Sequence, residues 1–162
     1  MTASGPGKRM FETKIKVRFS DVDRAGIAYY PRVIHWLHVA FEEFFEGFVG
    51  APYATVLERE NLGFPAVDLK VEFVKPTRFG ELLTVRVGVE KLGRSSSVFL
   101  YEVHGPRSGS SESSGPSGAA DLRVRAHVTV VCVTLDTLKS TPLPEKYRAR
   151  FAAALVGEGA EK

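Results

Sequence analysis

Apolar and polar residues alternate from Lys14 to Phe19, with Ile15, Val17 and Phe19 set between Lys14, Lys16 and Arg18. This period of two predicts a strand with one buried face. Ser20 to Tyr30, with Gly26 and two aspartates, breaks the alternation and predicts a loop. Pro31 suits the first turn of a helix, and Val33 to Phe48 carries apolar side chains around most of a helical circumference. Only His35, His38, Glu42 and Glu46 form a narrow polar stripe, so this helix must be largely enclosed by other structure.

Gly47 and Gly50-Ala51-Pro52 end that helix, and a short second one is expected over Tyr53 to Glu60. Strands are predicted at Ala66 to Phe73, Leu82 to Leu92, Ser96 to His104 and Leu122 to Leu135, separated by turn residues. The stretch from Gly105 to Asp121 holds 4 Gly, 6 Ser and 2 Pro in 17 residues and reads as a flexible hairpin loop that tolerates changes of length. Glu145 to Val156 has helical character. Residues 1–10 read as a mobile arm and 157–162 as a frayed end, which leaves one domain over 11–156. One strand, one enclosed helix and about four consecutive antiparallel strands make an α+β protein, a single curled sheet wrapped around one long central helix.

Composition narrows the function. With 44% hydrophobic and 25% charged residues in 162, the chain is globular and fits one core. Its net charge of +3 comes from scattered basic residues, not a cluster, which argues against a nucleic-acid partner. Cys132 has no second cysteine to pair with and lies in the apolar run Val128 to Val133, a core position. The N-terminal segment has no apolar run of the signal-peptide kind, and nowhere do about 18 apolar residues follow one another. A soluble, cytoplasmic protein with no membrane insertion is expected.

The segment Arg18-Phe19-Ser20-Asp21-Val22-Asp23-Arg24-Ala25-Gly26-Ile27-Ala28-Tyr29-Tyr30-Pro31 carries the chemistry. Two aspartates before a helix start are compatible with turn formation and capping. They are equally compatible with a carboxylate poised beside free helix N–H groups. A metal site lacks a convincing third ligand here, since His35 and His38 lie further along the helix. The whole string closely resembles the D-x-D-x-x-G signature of the 4-hydroxybenzoyl-CoA thioesterase-like branch of hotdog acyl-CoA thioesterases, and the similarity extends over roughly Lys14 to Leu143.

That resemblance implies a hotdog fold and hydrolysis of a small acyl or aroyl thioester to free acid and coenzyme A, with no metal or other cofactor. It assigns Asp23 as nucleophile or general base, the backbone N–H of Tyr30 as oxyanion donor, and Gly26 as the residue that gives the loop its geometry. Asp21 is a structural residue on this reading. Tyr29, Phe64 and Pro65 are implied to line the acyl site, and Arg94, Ser96 and Lys139 to meet the phosphates of an acyl-CoA or acyl-carrier-protein substrate. A homodimer or homotetramer is implied, the Asp23 loop of one chain meeting Phe64 and Pro65 of the other. The competing readings are a hotdog hydratase or dehydratase, whose sites depend on a histidine that this loop lacks, and a non-catalytic acyl-thioester binding protein.

Overall fold

A computed structural model describes residues 10–107 and 120–157. The expected arm, most of the Gly/Ser-rich loop and the C-terminal tail lie outside these residues. Strand β1 (Phe11–Lys16) leads through a short 3-10 turn (Phe19–Asp21) to helix α1 (Tyr30–Phe44), which widens into one π turn (Phe45–Val49). Helix α2 (Tyr53–Glu60) follows, then β2 (Leu62–Gly63), β3 (Ala66–Phe73), β4 (Leu82–Leu92), β5 (Ser96–Gly105), β6 (Asp121–Val131), β7 (Val133–Thr134) and α3 (Glu145–Ala153). The large sheet has the order β1-β4-β5-β6-β3 with every pair antiparallel, and β2 pairs with β7 in a small second sheet. The sheet holds α1 against its concave face, the hotdog arrangement.

The core forms because the inward positions of the central strands are apolar. Leu83, Val85, Val87 and Val89 of β4 and Phe99, Tyr101 and Val103 of β5 are all buried, while Thr84, Arg86, Glu102 and His104 between them face the outer side. Against this face α1 places Trp36, Leu37, Ala40, Phe41 and Phe44. The ring of Phe44 stands edge-on to Phe99 at 5.5 Å, and Phe151 of α3 packs on the same two rings at 5.9 and 5.3 Å. His35, His38, Glu42, Glu43 and Glu46 make the exposed stripe.

Three features differ from the sequence expectation. The chain leaves the β1 line after Val17, because the Asp21 carboxylate accepts the Arg18 N–H at 2.8 Å and closes the 3-10 turn. Phe19 therefore points to solvent, 79% exposed and edge-on to Phe79, instead of into the core. Helix α1 begins three residues before Val33, and its expected last turn is the wider π turn. There the N–H of Gly50, at φ +84°, bonds to the carbonyl of Phe45, so Phe44 and Phe45 both enter the core while Phe48 stacks on Phe44. The predicted last strand, Leu122 to Leu135, is split into β6 and β7 at Cys132, whose N–H bonds to the carbonyl of Ser95.

Strand β3 does not pair with its sequence neighbour β4. It lies at the far edge on β6, and the connection 74–81 crosses the ends of β6 and β5. Arg123, 4% exposed, fixes that crossing: its guanidinium donates to the carbonyls of Pro76 and Pro106 and to the carboxylate of Glu81, and its own carbonyl accepts the N–H groups of Val74 and Lys75. Truncating the central ring, Phe44→Ala, removes the contact shared by α1, β5 and α3. Urea unfolding of this variant is expected to show a loss of about 3–5 kcal/mol.

Candidate active site

Two adjacent turns hold the Asp23 loop. Val22 and Ala28 form a β-bridge, Asp23 N–H bonds to the carbonyl of Ile27 at 3.0 Å, and Gly26 N–H bonds to the carbonyl of Asp23 at 3.0 Å. Gly26 adopts φ +78°, a left-handed conformation that a side chain would strain. The loop stands on the crossing segment: Ala28 N–H bonds to the carbonyl of Thr77 at 2.8 Å, and Ile27 is bridged to Arg78. Arg123 thus supports the loop from below through residues 76–81.

The two aspartates have different surroundings. Asp21 is 7% exposed; one carboxylate oxygen accepts the Arg18 N–H, the other lies 3.5 Å from Nε of Arg32, and its carbonyl accepts the Tyr29 N–H at 2.8 Å. It ties the turn to the start of α1. Asp23 is exposed, and among the described residues only Ala25 N–H, at 2.8 Å from Oδ1, donates to its carboxylate. Oδ2 is left for solvent or substrate.

Tyr30 opens α1, and its N–H has no acceptor among the described residues. Pro31, next in the chain, has no N–H to compete for an incoming anion, and the helix start carries partial positive charge. The rings of Tyr29 and Tyr30 are exposed side by side, 5.7 Å apart.

A cavity of about 420 Å³ lies between α1, α2, β3, β6 and the small β2–β7 sheet, a volume suited to a small organic group. Phe64 and Pro65 line it, as expected for an acyl site, together with Leu37, Phe41, Leu69 and Val130 among others. Tyr29 does not line it and stays with the Asp23 loop, so within one chain the two halves of the expected acyl site are separate. Sequence reading missed Tyr53, Leu57, Tyr101 and Leu138 as cavity residues. No local signal marks them, since Tyr101 is buried, Tyr53 and Leu57 are half-buried and Leu138 is exposed, and the gap between them is created by packing.

The basic and polar candidates surround other turns. Arg94 is exposed in the β4–β5 turn, where its carbonyl accepts the Leu143 N–H and the Arg148 guanidinium. Ser96 follows it and accepts the Gly93 N–H on its carbonyl. Lys139 is exposed beyond β7, next to Leu138 on the cavity wall. Cys132 is buried, and burial pushes its thiol up from the ordinary value, away from the reactive thiolate. His38 meets Glu42 at 3.2 Å on the exposed stripe.

The sequence pattern of the thioesterase-like superfamily matches residues 17–151, the Asp23 loop, strands β2 to β7 and most of α3 included. The chain belongs to this superfamily. It is a thioester hydrolase of the hotdog fold. An acyl-CoA thioesterase, YbgC of Haemophilus influenzae, is 24% identical over 141 residues, 87% of this chain and 93% of that one. A 1,4-dihydroxy-2-naphthoyl-CoA hydrolase of Synechococcus (strain WH7803) is 25% identical over 154 residues, 90% of this chain and 91% of that one. In three dimensions the thioesterase superposes on the 4-hydroxybenzoyl-CoA thioesterase of Pseudomonas strain CBS-3 with a TM-score of 0.74, at 24% identity over 87% of this chain and 98% of that one.

The contrast between the two aspartates of this thioesterase is one of surroundings, a buried and bonded Asp21 against an exposed Asp23. Asp21→Asn removes the charge facing Arg32 and weakens the anchor of the loop. A lower thermal midpoint is expected, with a smaller effect on turnover at saturating substrate than the same change at Asp23. Differential scanning fluorimetry and initial rates on one preparation check this.

Proposed function

We propose that the protein hydrolyses a small acyl or aroyl thioester of coenzyme A to the free acid and the thiol, with Asp23 as its reacting carboxylate. The observation that carries this reading is the pairing, on one short loop and the helix start it leads into, of a carboxylate oxygen and an N–H that have no partner among the described residues. As the tetrahedral intermediate forms, the carbonyl oxygen takes up negative charge, and the Tyr30 N–H together with the α1 dipole stabilises it. The electrons for the new bond come from Asp23 Oδ2 directly, giving a mixed anhydride that water then opens, or from a water whose proton Asp23 accepts. In both routes the C–S bond breaks and the thiolate takes a proton; in the base route water supplies the new oxygen of the acid, and in the anhydride route Asp23 supplies it and regains an oxygen from the water that opens the anhydride at its carboxyl carbon. No cofactor is required. The CoA phosphates are taken by Arg94, Ser96 and Lys139, all exposed, with Lys139 next to the cavity residue Leu138.

The reading places the protein in the cytoplasm as a homodimer or homotetramer. Strand β3 is an unpaired edge whose Val67, Leu69 and Phe73 are exposed, an arrangement that invites pairing with a second copy. The cavity wall includes Leu69 and Ala66 of this same edge strand, so a partner joined along β3 can bring its Asp23 loop toward Phe64 and Pro65. No helix among the described residues is long and apolar enough to cross a membrane. A hydratase would need a histidine at the reacting carbonyl, and the Asp23 loop carries none.

Asp23→Asn keeps the shape of the side chain and removes its charge and basicity. Folding should survive while kcat for the best acyl-CoA substrate falls by about 10² or more. Near wild-type hydrolysis would move the role to another carboxylate, with Glu42 and Glu43 next to be tested. Single turnover in heavy-oxygen water separates the two routes, since only the anhydride route leaves label in Asp23. Light scattering at assay concentration should report at least a dimer, and a fully active monomer would refute the shared site.

A further inference from the structure

The cavity is hydrocarbon on almost every side, which makes its few polar side chains informative. His38 lies on the exposed stripe of α1 and is held by Glu42 at 3.2 Å, so it belongs to the rim. The Tyr53 hydroxyl accepts the N–H of Phe64 at 3.2 Å, which ties it to the backbone beside the cavity residues Phe64 and Pro65 and leaves it only its proton to offer. The carbonyl of Pro65 accepts the Val131 N–H, and the backbones of Gly63 and Ala66 are engaged with Val133 and Val130. Tyr101 remains. It is 2% exposed, it lines the cavity from β5, and its hydroxyl has no hydrogen-bond partner among the described residues.

The side chain is buried while its hydroxyl opens onto the cavity, so only what fills the cavity can pair with it, and a hydroxyl left unpaired there is costly. The sequence around Tyr101 leaves space for something to meet it. Its neighbours across the sheet are Val87 on β4 and the small Ala126 on β6, neither of which can hydrogen-bond through its side chain. Burial also pushes the phenol pKa far up, so the group keeps its proton at physiological pH and both donates and accepts.

We infer that Tyr101 is a specificity-determining residue that reads an oxygen atom on the acyl group, remote from the thioester, inside an otherwise apolar pocket. This rests on the thioesterase reading and adds the class of acyl group: a ring or short chain that is hydrocarbon apart from one hydroxyl or carbonyl oxygen. A fully hydrocarbon acyl group fills the cavity and leaves the Tyr101 hydroxyl unpaired. An acyl group with a correctly placed oxygen satisfies it and is satisfied in return. A site built this way discriminates strongly against the analogue that lacks the polar atom.

The test is a cycle of substrate and side chain. Benzoyl-CoA and its 2-, 3- and 4-hydroxy derivatives differ only in the presence and position of one oxygen, and Tyr101→Phe removes only the hydroxyl. For the wild type, at least one hydroxybenzoyl-CoA should exceed benzoyl-CoA in kcat/KM by about tenfold to a hundredfold. In Tyr101→Phe that preference should vanish, through loss on the hydroxylated substrate and not on benzoyl-CoA. A variant that slows all four substrates equally, or none, would overturn the inference, the first outcome marking a structural role and the second a hydroxyl that meets only water. A wild type that prefers benzoyl-CoA to every hydroxy derivative, with the preference unchanged in the variant, would overturn it too. Failure of the underlying thioesterase reading looks different: no thiol would be released from any of these substrates or from acetyl-CoA.

Discussion

The contact between the apolar face of α1 and the concave face of the sheet is the constraint on which the rest depends. Trp36, Leu37, Ala40, Phe41 and Phe44 are too large an apolar surface for a solvent-exposed helix. Only a sheet that curls can cover such a face. The alternating residues of β4 and β5 supply the cover, and α3 closes it by placing Phe151 among Phe44, Phe45 and Phe99. Once α1 is fixed by this packing, its N-terminus is fixed as well. The N–H of Tyr30, unpaired among the described residues, gains its direction from core contacts that begin one turn along the helix, at Val33.

The Asp23 loop inherits its position from two sides. Asp21 fastens it to α1 through Arg32 and the Tyr29 N–H, and the crossing segment 74–81 supports it through Thr77 and Arg78. That segment in turn is held by the buried guanidinium of Arg123. Rigid supports of this kind let a short loop hold a carboxylate outward without collapsing onto its own backbone. The loop spends Asp21 on structure and leaves most of the Asp23 carboxylate free.

The cavity arises from a different region, where α1, α2 and the β2–β7 pair meet β3 and β6. Gly63 lies on its wall, where a Cβ would come 2.6 Å from Cδ2 of Leu135 and push that side chain aside. The separation of this cavity from the Asp23 loop within one chain, together with the exposed apolar edge of β3, gives a physical reason for a site shared between two copies. The apolar walls also give weight to the Tyr101 hydroxyl, which no described residue meets.

Much of this was legible in the sequence because it follows from local periodicity and from one contiguous motif. Alternation at Leu83, Val85, Val87 and Val89 marks a strand with an inner face, and the string from Arg18 to Pro31 holds the loop aspartates, its positive-φ glycine and its helix start together. The extents of α2 and β3 follow equally from local turn and strand signals. Long-range packing decided the rest. Phe19 fits the strand period but faces solvent, because the Asp21 carboxylate turns the chain before it. The pairing of β3 with β6 instead of β4 depends on which edge β1 occupies, and Arg123 reads as one of many basic residues until the crossing loop closes over it. Tyr101 has the same period as the core residues on either side. Only tertiary structure shows that Tyr53 has found a partner for its hydroxyl and Tyr101 has not, because hydrogen-bond satisfaction depends on neighbours from strands and helices far apart in the chain.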